Sequence, residues 1–287
     1  MVLKKKTTRK KHNTKYNVKN KNKPLYKKNT RKITYKKSRK RVNKKTNKAN
    51  IVSISDPKKI VVFDLDETLG HFEDLSIFWD LINQVVGKHT ERDFIDILDL
   101  NKNLIRPGIL KVLNYVKEKR NKHQCAKVVL YTNNNGPLKW ATLILKYFEN
   151  KCGIKFDKII GGYQVNNIRN GGCRTSYLKS EKDLLRCTNM PVGTQICFID
   201  DKNHMYMQSN NIYNITVDPY VYVILYKEMA SKYYDKFKKR LKKYTKTEFI
   251  NNILRYTYRY NREVPSYQTK HNSKMMHLNI KSFFSNL

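Results

Sequence analysis

Two aspartates one residue apart open the stretch Asp64-Leu65-Asp66-Glu67-Thr68-Leu69, directly behind the apolar run Ile60-Val61-Val62-Phe63. A second pair of acids, Asp200-Asp201, follows Gln195-Ile196-Cys197-Phe198-Ile199, and Thr132-Asn133-Asn134 follows Lys127-Val128-Val129-Leu130-Tyr131. Two acids separated by one residue at a strand end reach the same side if the chain begins to turn there. Asp64, Asp66, Asp200 and Asp201 would then form a nest of carboxylates that repels itself without a cation, and oxygen-only ligands favour Mg²⁺. A carboxylate beside Mg²⁺ can attack phosphorus, because the metal neutralises the phosphoryl oxygens that would otherwise repel it. An acid two residues on can protonate the leaving oxygen and later deprotonate a water. Thr132 can donate a hydrogen bond to the phosphoryl group. This chemistry still lacks a lysine to hold the nucleophile and phosphate charges together.

The elements that must position these groups are readable from the same runs. Ile60–Phe63 is apolar without alternation and mostly β-branched, as expected of a strand buried on both faces of a parallel sheet. Similar runs lie at 127–131 and 195–199, with a weaker one at Lys158-Ile159-Ile160. Between them the period becomes helical: Gly108 to Val116 is entered through Arg106-Pro107, and Pro137 opens a segment through Trp140, Leu143, Ile144, Tyr147 and Phe148. Strands alternating with helices predict an α/β fold with a parallel sheet, and in such sheets the chemistry sits just past the carboxyl ends of the strands. The 36 positions from Leu69 to Ile105 and the 47 from Thr132 to Lys179 leave room for a short flap or helical insertion but not for a large lid. An uncapped site suits a phosphoprotein or a nucleic-acid end better than a small metabolite.

In order and context these residues resemble motifs one, two and four of the haloacid dehalogenase (HAD) superfamily of phosphotransferases. The Asp-x-Asp-x-Thr pattern alone arises by chance at roughly one position in ten thousand, and here each motif stands behind its own strand. Within the superfamily, Asp64 to Leu69 with His71 and the later Arg106-Pro107-Gly108 are similar to the NLI-interacting-factor-like phosphatases of the RNA polymerase II C-terminal domain. Proteins of this kind from large DNA viruses such as iridoviruses are the relatives the resemblance suggests. It covers about residues 58 to 222 and implies a HAD-like three-layer core.

Residue by residue, the resemblance implies Asp64 as a nucleophile forming an aspartyl-phosphate and Asp66 as general acid and base. Mg²⁺ would be held by Asp64, the Asp66 carbonyl and Asp201, with Asp200 orienting from beside them. The implied lysine has two candidates. Ser180 with Asp183 resembles a helix-capping pair, which sets Lys179 just ahead of a helix, where the family's lysine lies, whereas Lys182-Asp183-Leu184 matches the family's Lys-Asp-Leu. Lys179 is preferred. Thr-Asn-Asn replaces the usual Thr-Ala-Ser of the protein phosphatases and resembles instead the polynucleotide 3′-phosphatases of the same superfamily. Gly70 replaces the usual valine, which is expected to loosen the turn after motif one.

The flanks are of another character. The chain has 287 residues and a formal charge of +37, of which residues 1–55 carry +22 with no acid and residues 227–287 carry +11. The core between them keeps about +4, an ordinary globular balance. Residues 1–55 hold too little apolar surface to offset the entropy of ordering and are expected to be a disordered basic arm. The domain is expected over 56–225, followed by a basic, largely helical extension over 226–287. The arm would neutralise nucleic-acid phosphates, with Tyr16, Tyr26 and Tyr35 stacking on single strands, or serve nuclear import through Arg39-Lys40-Arg41.

No apolar stretch approaches the roughly 20 residues of a spanning helix, and the basic start has no apolar segment behind it, so no membrane partner and no secretory leader are expected. Five scattered cysteines without a Cys-x-x-Cys pair read as reduced intracellular thiols. An intracellular place follows, nuclear or cytoplasmic, with a virion as a further setting. The histidines are read as loop or surface residues, and Trp79 and Trp140 as core.

The expected activity is Mg²⁺-dependent hydrolysis of a phosphomonoester, with phosphoserine or phosphothreonine in a protein as substrate and the RNA polymerase II C-terminal domain as the phosphoprotein the resemblance implies. The alternatives are a polynucleotide 3′-end phosphatase and a nucleic-acid-binding or packaging protein on an inactive HAD scaffold. The intact set of Asp64, Asp66, Thr132, Lys179, Asp200 and Asp201 argues against the scaffold.

Overall fold

The structure is a computed structural model that describes residues 58–165, 168–169, 172–258, 267–268 and 273–285. The basic arm expected over 1–55 lies outside the described residues.

In chain order, strand β1 (Lys59–Phe63) leads through the acidic turn to helices α1 (Glu73–Val85) and α2 (Glu91–Leu100), then to α3 (Ile109–Asn121). Strand β2 (Lys127–Tyr131), α4 (Leu138–Cys152) and β3 (Lys158–Ile160) follow, then a short hairpin of β4 (Gln164–Val165) and β5 (Ile168–Arg169). The chain continues with α5 (Glu181–Thr188), β6 (Gln195–Asp200), β7 (Ile212–Thr216), β8 (Tyr222–Val223), α6 (Tyr226–Phe237), α7 (Lys246–Thr257), β9 (Tyr267–Gln268) and α8 (Lys274–Ser285).

Five strands form one parallel sheet in the order β3-β2-β1-β6-β7, with β1 at the centre. All five residues of β1 are buried, as expected for a strand covered on both faces. Its side chains alternate between two apolar layers. Val61 and Phe63 join a large core with α1 to α4 and α6 to α8, while Ile60 and Val62 face a smaller one with Leu184 and Leu185 of α5. The result is helix, sheet, helix, the three-layer arrangement expected from the alternation of strand and helix. A parallel order also puts the carboxyl ends of β1, β2 and β6 side by side, so Asp64, Thr132 and Asp200 leave the sheet at one edge.

The insertion between β1 and α3 is helical and small. Thr90 starts α2 with a reciprocal cap, accepting from the Asp93 N–H while Asp93 accepts from the Thr90 N–H. The Lys- and Tyr-rich helices after residue 226 pack into the same core through Met229, Tyr233, Phe249, Ile253 and Ile280, all buried. Among the described residues, no helix is long and apolar enough to cross a membrane.

Two expectations need correction. Cys173 and Cys187 form a disulfide with Cα atoms 5.2 Å apart, so only Cys125, Cys152 and Cys197 are free thiols, all buried. The pairing left no mark in spacing because it depends on the loop before Lys179 folding back along α5. Gly70 does not loosen its turn either. A Cβ there would lie 2.5 Å from the Leu104 carbonyl oxygen and 2.5 Å from the Phe72 ring, so its lack of a side chain permits close packing of the turn against residues 104–105.

Candidate active site

The turn after β1 is fixed before any ligand arrives. The Asp64 N–H donates to the Ile199 carbonyl at 2.9 Å, continuing the ladder between β1 and β6 one residue past the strand. Two residues beyond Leu65 the chain reverses through Glu67, which adopts a left-handed backbone at φ 57°, a costly conformation for a residue with a Cβ. Its surroundings compensate. The buried Arg106 donates to the carbonyls of Glu67 (2.5 Å), Thr68 (2.7 Å) and Asp218 (2.6 Å), and the Tyr220 N–H donates to the Glu67 carbonyl at 2.8 Å. The arginine of Arg106-Pro107-Gly108 thus clamps the acidic turn.

Lys179 and Lys182 separate cleanly. Ser180 caps α5 by accepting from the Asp183 N–H, and its own N–H donates to the Tyr131 hydroxyl. Lys179, one residue ahead of the cap, is 2% exposed, with Nζ 2.5 Å from Asp64 Oδ1 and 2.6 Å from Asp200 Oδ2. Lys182 points to solvent. A buried ammonium between two carboxylates is stable only because all three are paired.

Asp64, Asp200 and Asp201 each offer an oxygen within 4.8 Å of the others, a carboxylate set with the donor chemistry of a hard divalent cation. The Asp66 carboxylate is turned elsewhere: it accepts from Asn134 Nδ2 at 2.7 Å. Thr132 is buried and its hydroxyl accepts from the Asn134 N–H at 3.0 Å, which leaves the hydroxyl proton to donate. Asp64, Asp66, Thr132, Lys179, Asp200 and Asp201 all line one cavity of about 220 Å³.

Charge is distributed unevenly within it. Burial pushes the Asp64 carboxyl up to about 7, opposed by Lys179 and reinforced by Asp200. Burial also raises Asp66, against the Asn134 hydrogen bond, and raises Asp201 despite nearby Lys202. Asp200 goes the other way. Burial pushes it up, but His204, Lys179 and the Lys202 N–H together hold it below the usual carboxylate range. The site therefore holds one firmly ionised acid beside others that take a proton easily.

Several members have no sequence motif of their own. Arg174 is buried, stacks over the Tyr131 ring, and donates to the Thr132 and Gly161 carbonyls, Asn133 Oδ1 and the Tyr177 carbonyl, tying the second motif to the loop that carries Lys179. The neighbouring disulfide holds the same loop to α5. His204 and His71 lie in loops, as expected, but turned inward: His204 Nε2 lies 3.1 Å from Asp200 Oδ2, and the buried His71 pairs with Glu67 at 3.1 Å. Trp79 and Trp140 are half-buried and line a neighbouring cleft. The two histidines each reach back four residues to an acid of the preceding motif, whereas Arg174 meets Thr132 and Asn133 only through the return of a distant loop.

A parallel three-layer sheet whose strand ends converge acids, a threonine and a lysine on one small cavity defines a phosphate-handling α/β protein. The family model for NLI interacting factor-like phosphatases matches residues 59–250. The chain belongs to that family. No curated protein sequence matches it. Among solved structures it is similar to an arginine-to-alanine variant of the fission yeast RNA polymerase II CTD phosphatase Fcp1 bound to beryllium fluoride. The two share 12% identity at a TM-score of 0.40, over 79% of this chain and 63% of the yeast one.

Proposed function

We propose that this protein is a Mg²⁺-dependent phosphatase of phosphoserine and phosphothreonine in proteins, working through a phosphorylated Asp64. The observation that carries the reading is the buried Lys179 between Asp64 and Asp200, with Asp66 held at the mouth of the same cavity. Asp64, Asp200 and Asp201, with the Asp66 carbonyl, would hold the ion, which when bound supplies positive charge to the phosphoryl oxygens.

Asp64 attacks phosphorus and the bond to the seryl or threonyl oxygen breaks. Asp66, whose carboxyl burial raises above the usual carboxylate range, gives a proton to the leaving oxygen. Thr132 and Lys179 donate to the phosphoryl oxygens and hold them in line. Asp66, now ionised, takes a proton from water as the water attacks phosphorus, and the carboxylate of Asp64 is released with inorganic phosphate. The RNA polymerase II C-terminal domain, on which the similar yeast protein acts, is the phosphoprotein we propose, and the basic residues 1–55 are read as an attachment to nucleic acid or to nuclear import.

The test is phosphate release, side by side, from a phosphoserine peptide, a 3′-phosphorylated oligonucleotide and an aryl phosphate, with Mg²⁺ and with chelator. The expected result is Mg²⁺-dependent release from the peptide and aryl phosphate. Release from the oligonucleotide in preference to the peptide would replace the reading by a nucleic-acid end phosphatase. No release from any of the three by folded protein would leave the scaffold reading.

A further inference from the structure

Beside the phosphate cavity lies a cleft of about 770 Å³, and the two share Asp66, Glu67 and Asn134. The shared wall decides what the cleft is for. Asp66 faces the leaving oxygen in the mechanism above, so whatever carries that oxygen continues past Asp66 into this space. The volume is that of a ligand-binding pocket rather than a surface dimple.

Two features fix its chemistry. The first is aromatic. Trp79 of α1 and Trp140 of α4 both line the cleft, and both rest edge-to-face on the fully buried Phe94, at 5.1 and 5.5 Å between ring centroids. One wedge from α2 thus sets the pose of both indoles. The second is charge. Glu73, Asp80 and Glu91 join Asp66 and Glu67 on the wall against only Lys88 and Lys139, and no arginine lines it. His89, also on the wall, adds no positive charge near neutrality, since burial and then Arg240 push its pKa down. The wall thus carries an excess of acid in a core that is otherwise about +4. It repels a phosphodiester backbone and attracts a cation, and indole faces are the best aromatic partners for lysine and arginine.

We propose that this cleft is a specificity subsite that receives a lysine or arginine side chain carried near the phosphorylated residue, between Trp79 and Trp140. The proposal rests on the phosphoprotein reading above for the identity of what enters, and it makes the substrate a basic phosphopeptide.

The two indoles are the only tryptophans of the chain, so intrinsic fluorescence reports the cleft directly. The full-length protein is titrated with phosphoserine peptides that differ only in carrying Arg, Ala or Glu at the flanking positions, and kcat/KM is measured for the same set. The Arg peptide is expected to shift the fluorescence and to be preferred over the Glu peptide by about tenfold or more in both affinity and kcat/KM. Asp80→Asn with Glu91→Gln should narrow that ratio, and Lys139→Glu, which adds an acid, should widen it.

Equal binding of the Arg and Glu peptides, or a ratio that neither variant moves, overturns the proposal even if every peptide is dephosphorylated. Displacement of the Arg peptide by a single-stranded oligonucleotide overturns it in favour of a nucleic-acid groove. Selective, variant-sensitive binding of the Arg peptide without hydrolysis of any substrate would uphold the subsite and remove the activity assigned to its neighbour.

Discussion

His71 and His89 are equally buried, at 6% and 7% exposure, yet they stand in opposite electrostatic surroundings. His71 follows the acidic turn. Burial alone would lower its pKa, but the hydrogen bond and charge of Glu67, with Asp74 and Glu73 behind, raise it. His89 sits in the helical layer, between Trp79, Tyr233 and Phe237, with Nε2 2.5 Å from the Tyr233 hydroxyl, and there burial and Arg240 lower it. At the strand ends a buried imidazole is held by a carboxylate, whereas in the helical layer His89 is held by the neutral hydroxyl of Tyr233 with Arg240 nearby.

The largest effect is expected where that charge is used. Asp64→Asn should reduce phosphate release by at least about four orders of magnitude in a protein that still folds, since Lys179 keeps Asp200. Asp66→Asn should cost on the order of 10²–10⁴ in kcat. An Asp64→Asn protein that is strongly destabilised yet keeps its specific activity while folded would show that the strand-end acids are structural. Arg106→Met comes next. It removes three hydrogen bonds around a left-handed Glu67, whose carbonyl keeps only the Tyr220 N–H, and with each buried bond to a charged donor worth about 1.5–3 kcal/mol the midpoint in urea should fall by the equivalent of about 3 kcal/mol or more. An unchanged midpoint would mean that the turn holds itself.

The strand-end half of this comparison was largely legible in the sequence. Each buried strand is a short apolar run, each motif follows one directly, and in a parallel sheet that order alone dictates which ends are neighbours, so Asp64, Thr132 and Asp200 could be assembled without coordinates. Lys179 was legible one step less directly, through the cap formed by Ser180 and Asp183. What escaped were contacts made by loops that return from elsewhere. Arg174 lies in a stretch with no periodicity and reaches Thr132, 42 positions away. Trp79 and Trp140 were read as core residues, and only their shared contact with Phe94 of α2 brings both to the wall of one cleft.

The loop before Lys179 offers a finer cut. Cys173→Ser, or a reducing agent, opens a link across 14 positions and should lower stability by about 2–3 kcal/mol. Because Arg174 and Lys179 ride on the same loop, KM for a phosphopeptide should rise with it. Loss of stability with KM unchanged would show that Arg174 alone positions the loop.

The smallest effect tests the two histidines against each other through the pH dependence of unfolding. His89 has a folded pKa below its ordinary 6.5. The unfolded chain therefore binds its proton first, and the stability His89 contributes is present above pH 6.5 and lost as pH falls through the window beneath it. His71, raised above 6.5, contributes stability that is present below pH 6.5 and lost as pH rises through its folded value. One proton sets the limiting slope at about 1.4 kcal/mol per pH unit for each. His89→Gln should flatten the urea-unfolding profile only on the acid side of 6.5, and His71→Gln only on the alkaline side. If both substitutions flattened the same side, the contrast between the surroundings of His71 and those of His89 would be wrong.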